Sequence, residues 1–470
     1  MFESIKNIIK GVRYTMFPIS TINEALGINA VTSQSMATAI TLWTDLFSGS
    51  PPWANDDTVS MGLPASIASE LARLSTVESQ IEIAGSERGK YLAKQMGQTL
   101  CNLRAHIEHG IATGGMVFKP ILDGNDITVE CSYADNFYIT GFDSSGRLSG
   151  AVFLEEITRN GTIYRRLEYH HMEGDVCIIE NKAFAISALA KNTKDLGKPI
   201  DLFQVNEWKD LEPETALENV DRLLLGYFKM PLANNIDAHS PIGVSAYSRA
   251  IDSIREADRQ WSRLLWEMEG TELAVHIDPT MALADKEGNP IMPKGKERLY
   301  RALPGMGTQE KEKKMDVFSP NIRVEPLTEG LNSILKRVEF QCSLAYGTLS
   351  DPQMVDKTAE EIRASKQRSY ATVKDIQKVL QAALEDLIYA MNVWASLAKF
   401  TPEGSYEVTF DWDDSIINDP KERKMLFWQY VSAGRFPFWK YLVEFEGYSE
   451  KDAKEIAAES TSTDVLFGGS

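Results

Sequence analysis

Three carboxylates lie close together near the C-terminal end of the sequence: Asp411, Asp413 and Asp414. Clustered carboxylates can hold Mg²⁺, so these residues could belong to a metal-dependent nuclease or hydrolase. A structural interpretation also fits, in which Asp411 and Asp413 alternate with buried Phe410 and Trp412 along a strand and Asp414 caps the next helix. We expect the structural role.

Two histidine pairs could also do chemistry. His106 and His109 lie three residues apart on a predicted helix and could share a metal ion, but no third ligand is evident. His170 and His171 are neighbours on a predicted strand, so their side chains should point to opposite faces. We expect packed or solvated histidines at both places.

Other signs of enzymatic chemistry are absent from the sequence. It contains no GxxxxGK[ST], GxSxG, HExxH or GxGxxG motif, which weakens an NTPase interpretation. The cysteines are scattered without a CxxC pair, which predicts neither a disulfide framework nor a zinc site: Cys101, Cys131, Cys177 and Cys342. We therefore expect a protein without enzymatic activity and without a cofactor.

The charge and hydropathy of the chain limit its partners. A net charge of −18 argues against a protein that grips nucleic acid over its whole surface, because tight phosphate binding needs clustered Lys and Arg. No run of about 18 apolar residues is present, so no transmembrane helix is expected. Residues 1–16 form an amphipathic pattern without the apolar core of a signal peptide.

The first half of the sequence predicts helices followed by an antiparallel sheet. Helical spacing indicates helices at Met36–Phe47, Leu63–Leu74 and Ser86–Gly110. From Gly114 to about Ala185 the residues alternate and are β-branched. Asn160-Gly161 within this stretch is typical of a type I′ hairpin, since both central residues need positive φ.

The second half predicts a different order of elements. A long amphipathic helix opens at Pro241 and ends near residue 270, a polar insert with a strand at 272–277 follows, and a second helix covers 328–346. After a short polar tip, Thr358 and Glu361 have capping-box spacing and begin a helix of roughly 40 residues, about 60 Å long. A strand at Tyr406–Trp412, further helices to about Glu459 and a loose tail at 460–470 complete the order.

This order resembles that of the portal proteins of tailed bacteriophages, in particular those of phages with Gram-positive hosts. Four stretches carry the resemblance: Phe228-Lys229-Met230-Pro231 through Ser240-Pro241-Ile242-Gly243-Val244-Ser245-Ala246-Tyr247, then Ile251-Asp252-Ser253-Ile254-Arg255-Glu256-Ala257-Asp258, then Thr358-Ala359-Glu360-Glu361-Ile362-Arg363-Ala364-Ser365 with Tyr370-Ala371-Thr372-Val373, and Phe410-Asp411-Trp412-Asp413-Asp414-Ser415-Ile416. The resemblance extends from about Met36 to the late C-terminus and depends on order and spacing.

The resemblance implies an α+β portal fold with a wing, stem helices, a clip, a long kinked helix and a helical crown. The implied segments are a wing at 1–240 and 358–415, stem helices at 241–270 and 327–346, a clip at 271–326, a tunnel loop at 347–357, and a crown with a C-terminal tail at 416–470.

The resemblance also implies the assembly and its partners. The chain would form a homo-oligomeric ring of about twelve copies at one capsid vertex of a virion, after synthesis in the cytoplasm of a bacterial host. Double-stranded DNA would pass through the ring during packaging and ejection. Expected protein partners are the terminase large subunit, a head-tail adaptor protein, and the major capsid and scaffolding proteins; no membrane is involved.

Three groups of residues would carry this function. The tunnel loop would face the DNA through Asp351, Gln353, Met354, Asp356 and Lys357. The clip would meet partners through Lys294, Lys296, Arg298, Arg301, Lys311, Lys313 and Lys314, although a solvated hairpin face explains the same charges. The first stem helix would pair with its neighbour through Arg255, Glu256, Arg259 and Arg263, because acidic residues are interspersed among its arginines.

The net charge gives this interpretation a mechanism. About a dozen copies at −18 each carry roughly 200 negative charges, which repel the phosphate backbone and let a duplex slide without sticking. Two alternatives remain open: a metal-dependent nuclease that uses Asp411, Asp413 and Asp414, and another minor head protein of a phage.

Overall fold

The computed structural model describes residues 16–77, 79–190, 195–271, 274–277, 300–302, 315–318, 321–352, 359–412 and 420–467. Within these ranges the protein mixes helices with sheets, so the expected α+β class is confirmed at that level. None of the helices in the described ranges is both long and apolar enough to cross a bilayer. The chain divides into two compact units, a large one of Met1–Val77 with Glu82–Thr409 and a small one of Glu78–Ile81 with Phe410–Ser470.

The helices and strands are numbered in chain order. The helices are α1 (Ile19–Leu26), α2 (Gln34–Phe47), α3 (Leu63–Thr76), α4 (Glu87–Cys101), α5 (Leu103–Thr113), α6 (Ile251–Gly270), α7 (Val324–Gln341), α8 (Ala359–Leu397), α9 (Pro420–Ser432), α10 (Phe438–Glu446) and α11 (Glu450–Phe467). The strands are β1 (Ser79–Gly85), β2 (Gly115–Asp123), β3 (Asp126–Tyr133), β4 (Phe137–Phe142), β5 (Leu148–Arg159), β6 (Thr162–Glu173), β7 (Val176–Ser187), β8 (Lys198–Ile200), β9 (Glu214–Glu218), β10 (Gly226–Lys229), β11 (Ala274–Ile277), β12 (Tyr300–Ala302), β13 (Met315–Phe318) and β14 (Tyr406–Trp412).

The N-terminal helices follow the sequence prediction with one correction. Helices α2 and α3 lie where they were expected, and the Ser33 hydroxyl caps α2 by accepting the Met36 N–H. The single helix predicted over Ser86–Gly110 is wrong: the chain turns at Asn102 and forms α4 and α5 separately. The turn lets the buried faces of both helices, which include Met96 on α4 and Ile107 on α5, reach the core.

Within the described residues the strands form one six-stranded sheet, two three-stranded sheets and one two-stranded sheet. One three-stranded sheet has the order β10-β2-β3, and the large sheet runs β4-β5-β6-β7, with β8 and β9 both pairing with β7. The antiparallel strands expected from Gly114 to Ala185 are therefore confirmed, but a single meander is not: β2 and β3 belong to one sheet and β4–β7 to another. Asn160 and Gly161 have φ values of 51° and 74°, and Arg159 pairs with Thr162, as the hairpin prediction required.

The long helix α8 forms the centre of the large unit. Its 39 residues correspond to about 60 Å, and it packs on β10, β2, α3 and α4. The side chains that it buries recur every three or four residues: Val373, Ile376, Leu380, Leu384, Leu387 and Met391. Strand β10 approaches α8 so closely that a Cβ at Gly226 would lie 2.1 Å from the Ala383 carbonyl oxygen.

A buried arginine fixes the C-terminal end of α8. The Arg88 guanidinium on α4 donates to the carbonyl oxygens of Asn392 at 2.9 Å, Thr401 at 2.9 Å and Pro402 at 3.2 Å. Only 1% of this residue is exposed. These carbonyls lie near and just beyond the last turn of α8, so the guanidinium ties this end of the helix to α4 and places a cation close to the negative end of the helix dipole.

The start of the first stem helix needs correction. The predicted start at Pro241 is wrong, because α6 begins at Ile251. The preceding segment packs in extended and turn conformations against the core: a Cβ at Gly243 would lie 2.2 Å from the Gly114 carbonyl oxygen, and the Tyr247 hydroxyl donates to the Trp43 carbonyl at 2.8 Å. The apolar spacing in this segment thus reflects burial, not a helix.

Both ends of α7 and the C-terminal end of α11 also differ from the predictions. Helix α7 covers Val324–Gln341 where 328–346 was expected, and the chain leaves it at Ser343 with φ 58°. Helix α11 extends to Phe467, so a loose tail from residue 460 is wrong. Strands β14 and β11 lie where strands were expected, while the proposed cap at Thr358 lies outside the described residues.

The small unit is built on an aromatic cluster. Phe427 of α9 packs against Tyr430, Phe436 and Phe445 with ring centroids 5.0–5.9 Å apart. Trp428 packs against Tyr441 at 5.3 Å. Rings at these separations contribute beyond their burial, and they hold together the helical C-terminal segment that the sequence predicted.

Gly226→Ala tests the contact between β10 and α8. The added methyl group would overlap the Ala383 carbonyl, so we expect a loss of about 2–4 kcal/mol in unfolding free energy, measured by thermal and urea denaturation. Gly97→Ala is the matched control: it lies in α4 with nothing within 4 Å of its Cβ position, and it should gain about 0.5–1 kcal/mol. Equal stability of the two variants would contradict this packing.

Candidate channel and docking elements

The two predicted stem helices form an antiparallel hairpin. At the end of the hairpin where α6 finishes and α7 begins, the Arg323 guanidinium donates to the two oxygens of the Glu267 carboxylate at 3.0 Å and 2.8 Å. Further along, the Gln260 amide donates to the Leu327 carbonyl at 3.1 Å. Apolar side chains fill the seam between the helices: Ile254 and Leu264 on α6, and Leu331, Leu335 and Val338 on α7.

The four stem residues predicted to pair between subunits lie on the outer face of α6. Arg255 contacts Asp252 at 2.9 Å and Arg259 contacts Glu256 at 2.7 Å, each pair on the same helix. All of these side chains are substantially exposed, and so is Arg263. Exposed pairs of this kind contribute little to stability, so the residues can exchange partners, and pairing between subunits stays a prediction.

A small three-stranded sheet lies in the chain between the end of α6 and the start of α7. Strand β11 lies between β12, which runs parallel to it, and β13, which runs antiparallel. Arg301 lies on β12 opposite His276. The other predicted clip residues lie outside the described ranges: Lys294, Lys296, Arg298, Lys311, Lys313 and Lys314.

Glu339 anchors the start of the tip that follows α7. Its carboxylate is fully buried and accepts the N–H groups of Gly347 at 3.1 Å, Leu349 at 2.6 Å and Ser350 at 2.8 Å. The Ser350 hydroxyl donates to its second oxygen at 2.9 Å. These four hydrogen bonds solvate the buried charge in place of water and fix the path of residues 347–350.

A second side chain of α7 extends this anchor. Asn332 accepts the Asp351 N–H at 2.8 Å. Asp351 is exposed, and its role in a tunnel loop stays a prediction. Gln353, Met354, Asp356 and Lys357 lie outside the described residues. Sequence reasoning missed both anchors, although a Glu and an Asn on the buried face of an amphipathic helix are the signal that could have revealed them.

A buried carboxylate ties an N-terminal loop to α6. Asp258 accepts the Trp53 indole N–H at 2.9 Å and the Met61 N–H at 2.8 Å. Burial raises the pKa of this carboxyl, and the two hydrogen bonds oppose that rise. The sequence suggested only inter-subunit pairing for the acidic residues of this helix, but Asp258 faces inward and positions the stem against residues 53–61.

The aspartate cluster of the nuclease alternative is described only at Asp411. This residue is exposed on β14, while Phe410 and Trp412 are half buried and stack with ring centroids 6.2 Å apart. That alternation agrees with the structural interpretation. Asp413 and Asp414 lie outside the described residues, and the part of the chain that is described holds no group of three or more His, Cys, Asp or Glu able to hold a metal ion.

The histidines are packed against aromatic and acidic neighbours. His106 hydrogen-bonds to the Tyr133 hydroxyl at 3.0 Å, and His109 stacks on the same ring with centroids 4.4 Å apart. Burial lowers the pKa of both histidines, which favours neutral rings. His170 contacts Glu168 while His171 stacks on Tyr169, so the second pair does point to opposite faces.

The chain is similar to chains of solved structures. No protein-family model matches the chain, and no curated protein matches it either. A chain from a structure described as the neck of a native GTA particle, computed with C12 symmetry, is similar over 87% of this chain and 98% of that chain, at 12% identity and a TM-score of 0.40. At this identity and TM-score the likeness assigns no function to this chain.

Replacing Glu339 tests the anchor of the tip. In Glu339→Ala the N–H groups of Leu349 and Ser350 lose their acceptor, while that of Gly347 keeps the Ser350 hydroxyl, so we expect a loss of about 3 kcal/mol in unfolding free energy. Glu339→Gln keeps an oxygen acceptor and should lose about 1–2 kcal/mol. Hydrogen exchange at the Leu349 and Ser350 amides reports the same change locally. The matched control is Glu329→Gln, an exposed residue of the same helix. Unchanged exchange in Glu339→Ala would refute the anchor.

Proposed function

We propose that the protein is the portal subunit of a tailed bacteriophage, a non-enzymatic element of the ring through which DNA enters and leaves the head. The observation that carries the proposal is the sequence of elements from α6 to α8. A helical hairpin leads to a small sheet at its far end, returns to an anchored turn, and continues into a helix of 39 residues. Two of the four portal-like sequence stretches, 251–258 and 358–373, fall in this region, and the other two lie before and after it.

The hairpin suits a channel wall. One side of α6 packs against α7 through buried apolar residues, while its other side carries charged groups such as Arg255 and Arg259 in the open. Because one face of α6 is buried against α7 and the other is charged and exposed, the charged faces of several copies can pack side by side around a common axis. Alternating charges on that face let neighbouring copies pair.

The turn at residues 347–351, which is fixed to α7, is suited to hold a loop at the inner wall of the proposed channel. Glu339 and Asn332 fix residues 347–351 to α7, so the residues beyond them begin from a defined position. A loop that must approach moving DNA needs such a rigid base, because binding elements on firm scaffolds are better positioned than those on free loops. We assign the loose contact with DNA to this loop.

The charge of the chain agrees with a conduit. At −18 per copy, a ring of about twelve repels a duplex and prevents attachment at many phosphates at once. The proposed site of action is the virion, at one capsid vertex, and the proposed partners are the terminase large subunit, a head-tail adaptor, and the capsid and scaffolding proteins. The proposal assigns no chemical step to the chain.

The mass and symmetry of the purified protein test this function first. Native mass spectrometry and negative-stain class averages should give a closed ring of about twelve copies with a central hole. A monomer or dimer that persists at micromolar concentration would overturn the proposal. Plasmid DNA with added Mg²⁺ then distinguishes the nuclease alternative, because cleavage that is lost in Asp411→Asn would move the function to the aspartate cluster.

The tip is tested by a replacement that spares its anchor. Deleting Leu349–Asp356 would also remove groups that hydrogen-bond to Glu339, so the sharper variant replaces only residues 352–356 with a short Gly-Ser linker. We expect intact rings but a several-fold loss of packaged or retained DNA, measured in a packaging assay. Asp57→Ser, an exposed change in another loop, is the control. Normal packaging by rings with the replaced tip would exclude this role.

A further inference from the structure

A cleft in the large unit is lined by four cationic side chains although the protein is strongly acidic. Arg147 lies on the turn before β5 and Arg222 lies shortly before β10. Lys229 is the last residue of β10, and Lys378 lies on α8. We call this the basic cleft. Its volume is about 390 Å³, and apolar side chains, including Leu225 and Val379, line its floor.

One carboxylate, that of Asp386, lies inside the basic cleft and already forms two ion pairs. Asp386 contacts Arg222 at 3.0 Å and Arg147 at 3.4 Å. Arg222 also grips Asp221, outside the lining, and this hydrogen bond lowers the pKa of Asp221 to about 2. Arg222 is therefore held by two aspartates and is fixed in place.

The two lysines of the cleft have N–H donors that can bind a further acceptor. The Lys229 ammonium donates to the Pro241 carbonyl at 3.3 Å, and an ammonium has three donors. Lys378 is 79% exposed, and its described acidic neighbour, Asp375, lies 4.0 Å away and is itself exposed. Even with Asp221 and Asp375 counted beside Asp386, the balance is four positive charges against three negative.

The charge of the whole chain indicates what can occupy such a cleft. Two copies at −18 repel each other, so contact between copies requires that locally basic surface of one meets acidic surface of the next. The same net charge repels a nucleic acid. An open cleft with a cationic rim and an apolar floor fits a carboxylate flanked by aliphatic groups, which an acidic protein segment supplies.

We propose that the basic cleft receives an acidic segment of a neighbouring copy of this chain, and so forms a lateral contact of the ring. The inference rests on the proposed ring. In this arrangement Arg222, fixed by its aspartates, shapes the cleft, while Arg147, Lys229 and Lys378 pair with the incoming carboxylates. Each copy gives one acidic segment and receives another, as head-to-tail contacts around a closed ring require.

Carbodiimide cross-linking of assembled rings tests the contact, because this reagent joins an amine to a carboxylate only when they touch. Rings assembled from an equal mixture of isotopically heavy and light chains should yield mixed peptides that join Lys378 or Lys229 to an acidic residue. Lys94, exposed to a similar degree and paired with Asp126 in its own chain, should yield only unmixed links.

Two variants at Lys378 add a readout of association. Lys378→Glu should raise the concentration at which rings half-dissociate at least tenfold, with less effect at high salt, whereas Lys378→Arg should leave association unchanged and lose only the cross-link. Lys94→Glu is the matched charge reversal and should change association little.

The outcomes separate the two proposals. Failure to form any ring would overturn the portal function and this inference together. Rings that form normally but give only unmixed cross-links at Lys378, with Lys378→Glu associating like Lys94→Glu, would overturn the cleft contact alone. Protection of Lys378 from acetylation by short duplex DNA, without protection on assembly, would also overturn it and assign the cleft to nucleic acid.

Discussion

The contact between β10 and α8 is the constraint on which the large unit depends. Gly226 lets the strand backbone approach the Ala383 carbonyl to a distance that no side chain would permit. Because the approach is this close, the apolar face of α8 buries along the sheet and against α3 and α4. The middle of the long helix is thereby fixed against the sheet, in the close packing that protein interiors require.

Buried charges position the elements that the core does not reach. Arg88 holds the end of α8, Asp258 holds a loop against α6, and Glu339 holds the tip. Each one binds mainly backbone groups or an indole, without a counter-charge among the hydrogen bonds described for it. A buried charge is costly unless hydrogen bonds satisfy it, so each site tolerates one arrangement of its partners, and these side chains add specificity of position more than stability.

The distribution of charge links the proposed assembly with the proposed transport. Excess negative charge keeps a duplex from adhering, but it also drives copies of the chain apart. Local basic surface such as that of Arg147 and Lys378 compensates where copies must meet. A ring of this composition thus needs its positive charge at contacts between copies, while its bore can remain acidic.

The sequence by itself determined the elements whose cause is local. The hairpin at Asn160-Gly161 was predictable because positive φ is a property of those two residues, and β14, α2 and the long helix followed from their own periodicity and breakers. The α+β class and the helical hairpin could also be predicted. The start of α6 could not, because Val244 and Tyr247 have helical spacing and yet are buried in a non-helical segment. Only the tertiary structure decided the Glu339 anchor and the basic cleft, since both depend on which distant backbone and side-chain groups the folded chain brings together.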